Sequence, residues 1–123
     1  AWNARPSSRE ANRNRERAAR DQRHGVEAVV IPVGYEDLVF EVFGHRCAAC
    51  GAEGHILLDH HRPLRRGHAL LHNAVPLCPS CNYWKGSLLP EEFYSPWKLS
   101  EIAVLLFEVR TRFEEEFGKE EAA

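Results

Sequence analysis

Four cysteines constrain this 123-residue chain more than any other feature. Cys47 and Cys50 form one C-x2-C pair, Cys78 and Cys81 a second, and 27 residues separate the pairs. Disulfides would need an oxidising compartment, and nothing in the chain marks it for export. A thioredoxin-like redox motif uses one such pair inside a βαβ pattern, which is missing here. Two pairs, each followed by small or turn-forming residues, are what tetrahedral thiolate coordination requires. The sequence therefore predicts a structural Zn2+ held by Cys47, Cys50, Cys78 and Cys81.

Around the pairs, the residue pattern is that of a single small α+β domain. Positions 26 to 33, with Pro32, read as a short extended lead-in. Leu38, Val39, Val42 and Phe43 suit a short helix that ends at Gly44. Gly51 and Gly54 mark a turn before a strand that begins at Ile56-Leu57-Leu58. Residues 62 to 73 form a polar loop with Pro63 and Gly67. Val75-Pro76-Leu77 is a second short strand, kept to an edge by its proline. Pro79 fits the first turn of a helix through Cys81, Asn82 and Lys85, with Gly86 behind it. Pro90-Glu91-Glu92-Phe93 is another helical start. Leu99, Ile102, Leu106, Val109, Phe113 and Phe117 then make a helical stripe up to Gly118. Val104, Leu105 and Phe107 widen that stripe, which points to core packing first and a dimer contact second.

Between the strands lies the segment Leu58-Asp59-His60-His61-Arg62-Pro63-Leu64. Asn73 follows, then Val75-Pro76-Leu77-Cys78-Pro79-Ser80-Cys81-Asn82 and Lys85-Gly86. This run, residues 47 to about 93, resembles the HNH endonucleases, or ββα-metal nucleases. The resemblance implies a small ββα-metal core with a structural zinc, flanked by helices. It implies that Asp59 is a ligand of the catalytic ion and His60 the general base, with Asn73 holding the loop that aims the imidazole. Asn82 stands where the family's last histidine is usual, and members of the family also use asparagine there. Carboxylate and amide oxygens suit Mg2+ or Mn2+ better than zinc as the catalytic ion. Phosphodiester hydrolysis needs an activated water, charge neutralisation and help for the departing oxygen, and this residue set covers all three.

Two adjacent histidines compete for the role of base. Strand alternation pairs Asp59 with His61 on one face, whereas His60 stands three residues before Pro63, the register the family shows. The choice of His60 assumes that the strand bends there. His45, His55, His68 and His72 read as surface or loop residues, His61 as a packed or supporting group, and His24 carries no signal. Arg65, Arg66 and Lys85, clustered beside a phosphate-cutting centre, are expected to touch the DNA backbone. Trp84 reads as core.

The net charge of −2 conceals an asymmetry. Residues 1 to 24 have a balance of +4 and the remainder −6. The organisation expected is thus a basic arm over 1–24, a zinc-centred nuclease domain over 25–98, and a C-terminal amphipathic helix and tail over 99–123. The arm has no apolar face, so a solvated, disordered arm and a DNA-contacting one remain equal readings. The expected partner is DNA, with no membrane. Cutting both strands with one site per chain implies two copies or two successive nicks. With no secretory signal the expected location is intracellular, and a chain without methionine reads as a piece of something longer. A rival from another class is a non-catalytic zinc module that binds nucleic acid or protein. The cysteines suit both; Asp59, His60, Asn73 and Asn82 are needed only by the nuclease.

Overall fold

The computed structural model describes residues 13, 15–17, 31–63 and 69–118. In chain order these form α1 (Tyr35–Val42), β1 (Leu57–His60), β2 (Ala74–Leu77), α2 (Pro79–Lys85), α3 (Pro90–Phe93) and α4 (Pro96–Phe117). Helical backbone also occurs at Arg13 and at residues 15–17. The architecture is α+β: an antiparallel hairpin followed by helices. Of the expected lead-in, Ile31 and Pro32 have no regular structure, and residues 26–30 lie outside the described residues.

Each element follows from local chemistry. Glu36 and Asp37 occupy the first turn of α1, where the helix dipole favours acids. Tyr35, Leu38 and Val39 face inward. Gly44 and His45 then turn the chain through positive φ, and His45 N–H closes on the Phe40 carbonyl at 2.8 Å. Pro79 opens α2, and Gly86, at φ 49°, terminates it. In α3 the Glu92 carboxylate accepts the Leu89 N–H at 2.8 Å. Ser95 caps α4 by accepting the Lys98 N–H at 3.2 Å.

The hairpin register pairs Leu57 with Leu77, Leu58 with Pro76, Asp59 with Val75 and His60 with Ala74. Beyond β1, His61 N–H donates to the Asn73 carbonyl at 2.8 Å. Hydrogen-bonded and non-bonded pairs alternate along an antiparallel ladder, so Asp59–Val75 is bonded while His60–Ala74 and Leu58–Pro76 are not. Pro76, lacking an N–H, therefore sits where the ladder asks for none. Its outward carbonyl accepts the Ala48 N–H at 2.9 Å, tying the first cysteine pair to β2.

β2 is buried along its whole length. It packs against α1, α2 and α4, while α1 and α4 pack on each other. Ile102, Val109 and Phe113 supply the buried face of α4 and, with Tyr35, Leu38, Val39, Val75 and Leu77, make the core. Each such side chain contributes about 1.5–3 kcal/mol when fully buried. Val104 and Phe107, also in the predicted stripe, are exposed. No helix among the described residues is long and apolar enough to cross a membrane.

Candidate metal centre and the polar cluster beside it

The two cysteine pairs meet. One pair sits on the turn after α1, where the Cys50 N–H points at the Cys47 sulfur at 3.4 Å and the Gly51 N–H closes on the Cys47 carbonyl at 2.8 Å. Gly51 makes that turn at φ 82°, a conformation glycine adopts without strain. The second pair opens α2. All four Sγ atoms lie within 4.8 Å of one another, and Cys50 and Cys78 are 3.8 Å apart. Tetrahedral Zn–S bonds of about 2.3 Å place sulfurs about 3.8 Å apart. None of the four is in a disulfide.

Their proton affinities diverge. Burial raises that of Cys47, but backbone N–H groups at Cys78, Cys50 and Ala49 outweigh it and bring the thiol down to about 7. Cys81 is pushed far up, by burial first and then by the neighbouring thiols. Four crowded sulfurs cannot all ionise unless a cation joins them. The cluster can hold a structural zinc.

A second cluster lies where α2 crosses β1. The Asp59 side chain faces α2, and the Asn82 amide nitrogen lies 3.3 Å from its Oδ1. Lys85 Nζ lies 2.9 Å from Asp59 Oδ2 and donates to the His60 carbonyl at 3.0 Å. Burial raises the Asp59 proton affinity, and the Lys85 ammonium opposes that rise.

Asn73 closes the loop on the same side of the hairpin. Its Oδ1 accepts the Arg62 N–H at 2.8 Å, and its Nδ2 donates to the Arg62 and Ala69 carbonyls, both at 2.9 Å. Next to it, the His72 N–H donates to the buried Tyr35 hydroxyl at 2.8 Å. Burial drives the Tyr35 phenol up to about 12, so it is a neutral partner.

Several expectations need correction. The bend assumed at His60 is not formed: β1 pairs regularly through His60, and the ladder continues to His61, because Asn73 holds the opposite strand with its main chain and the loop with its side chain. Alternation then sets His60 and Asp59 on opposite faces and His61 with Asp59. His61 rests against Tyr94, ring centres 5.7 Å apart, and burial, helped by Lys85, lowers its proton affinity to about 4. Lys85, expected to reach DNA phosphates, is 0 % exposed and committed to Asp59 and His60. Trp84, expected in the core, is 68 % exposed. Arg65, Arg66 and His68 lie outside the described residues.

The arm also differs from a purely solvated one where it is described. Arg13 and Arg17 both bind Glu36 of α1, at 2.9 and 2.7 Å, and Arg17 is buried. A search for an apolar face misses this attachment, which is made by charge. A cleft of about 570 Å³ runs between Arg13 and Arg17, Glu36 and Phe40 of α1, and Leu58 of β1, with Asn82 in its wall.

Compared with known proteins, the chain matches no protein-family model, no curated protein and no solved structure.

Proposed function

We propose that the chain is an HNH-type, metal-dependent DNA endonuclease whose catalytic groups surround the crossing of β1 and α2. The supporting observation is the meeting of Asp59 and Asn82 across the ββα unit, residues 23 apart in sequence brought to 3.3 Å. A structural zinc module has no use for that pair. A half-turn of the Asn82 amide presents its oxygen instead of its nitrogen, and carboxylate plus amide oxygens are the hard donors that Mg2+ or Mn2+ prefers. Bound there, such an ion would neutralise charge on the phosphate and on the departing oxygen. His60 takes the proton of the attacking water, as neutral imidazole can near neutral pH. Asn73 restrains the loop after His60 through its bonds to Arg62 and Ala69.

A second reading has its own support: the Lys85 ammonium already balances the Asp59 charge, as a non-catalytic zinc module with a structural ion pair would have it. Plasmid nicking separates the two. The nuclease reading expects nicked circles with Mg2+ or Mn2+, none after removal of free divalent ions, and zinc still bound one per chain in both states. Binding of DNA without cutting under every metal condition selects the module, and cutting untouched by loss of Asp59 and Asn82 would show that these two residues do not hold the catalytic ion.

A further inference from the structure

Lys85 is a fully buried cationic side chain, and nothing in the reaction as proposed uses it. A lysine at a helix end ordinarily extends into water, since taking an ammonium out of solvent costs several kcal/mol unless its partners are well placed. Here it faces two partners: Asp59 Oδ2 at 2.9 Å, as an ion pair, and the His60 carbonyl at 3.0 Å, to which it donates a hydrogen bond. The strand ladder explains the second contact. His60 occupies a non-bonded ladder position, so its carbonyl points away from β2 and needs a partner from elsewhere. One ammonium thus joins the side chain of the proposed metal ligand to the main chain of the proposed base.

We infer that Lys85 is a positioning residue: it reserves Asp59 Oδ2, leaves Oδ1 facing Asn82 for the metal, and fixes the His60 backbone relative to that oxygen. This inference rests on the nuclease reading and deepens it. It carries an unusual consequence. Lys85 adds a positive charge beside a cation site, so its removal should strengthen metal binding while it disorders the catalytic geometry. Damage to the fold would weaken both.

The test is Lys85→Met, which keeps the length and apolar stem. Mn2+ binding is followed by electron paramagnetic resonance at pH 8, and cutting by kcat on a nicked-plasmid assay. The expected result is a severalfold tighter Mn2+ dissociation constant, a kcat lower by about 10–100-fold, and unchanged zinc content. Wild-type kcat in a folded Lys85→Met variant, or weaker Mn2+ binding in parallel with slower cutting, overturns the inference while leaving the nuclease reading intact. A wild-type protein that neither binds Mn2+ nor cuts removes both. Should Lys85→Met fail to fold, the wild-type protein still decides: its 15N-labelled lysine ammonium signals include a protected one from Lys85. Persistence of that signal when Mg2+ is added supports a positioning role. Its loss to solvent exchange shows a counter-ion that the metal displaces, and overturns it.

Discussion

At the scale of single residues, the neighbours His60 and His61 have been given different work by one peptide step. His61 shares the Asp59 face, lies against Tyr94 and is held neutral by burial and by Lys85. His60 lies on the opposite face and follows the motif register of a base. His60→Ala should therefore slow cutting by roughly 10²–10⁴-fold with zinc and fold retained, whereas His61→Ala should cost stability and little rate. Nicking rates and denaturant midpoints of the two variants check this, and a reversed pattern would exchange the roles. The same environment sets a pH dependence. The folded protein resists protonation of His61 down to about 4, while the unfolded chain accepts that proton near 6.5. Stability contributed by this group is present above about 6.5 and is lost as pH falls toward 4, by on the order of 3 kcal/mol at most. Urea midpoints from pH 4 to 8 should show a smaller acid loss in His61→Gln than in the wild type.

Among secondary-structure elements, those legible in the sequence were the ones set by near-neighbour spacing. Gly44 and Gly118 end their helices, Pro79 and Pro90 start theirs, and Pro76 marks a strand with no central ladder role. Each is decided within a turn or two of chain, so local chemistry is enough. The juxtaposition of the cysteine pairs was also legible, because four soft ligands have few other uses. What the chain concealed were pairings chosen by distant packing. A charge near a helix end defaults to solvent, so nothing local distinguishes buried Lys85 from a surface lysine. Trp84 is the converse, an apolar residue left outside because α2 turns Cys81 and Lys85 inward instead. The element-level prediction concerns α2, whose N-cap and first turn bear two of the four sulfurs. Cys78→Ser should abolish stoichiometric zinc and release α2 from β1 and β2. Metal analysis would then return well under one zinc per chain, and the amides of Asn82 and Lys85 would lose hydrogen-exchange protection. Full zinc occupancy in that variant would show that the cysteines do not act as one ligand set.

For the whole molecule, the described part of the basic arm meets the acidic body at Glu36. Glu36 receives both Arg13 and Arg17, at 2.9 and 2.7 Å, beside the cleft that Asn82 lines. Neither guanidinium can serve Glu36 and a DNA phosphate with the same donors at once. If the arm adds to DNA affinity, the body competes with DNA for it, and Glu36→Gln should shift that competition. Affinity for duplex DNA at low salt should rise. The plot of log K against log salt should steepen by up to about 2, since each phosphate newly neutralised on duplex DNA contributes about 0.9. Removal of residues 1 to 24 should do the opposite, lowering affinity and flattening the slope, with the catalytic rate at saturating DNA unchanged. Fluorescence anisotropy of a labelled duplex from 50 to 300 mM salt, as roughly spaced points across the screening range, reads both variants on one scale. A Glu36→Gln slope equal to that of the wild type would mean that Arg13 and Arg17 serve the fold and leave DNA alone. In that case the variant should show its effect as a lower thermal midpoint, because the buried Arg17 loses its charged contact with Glu36.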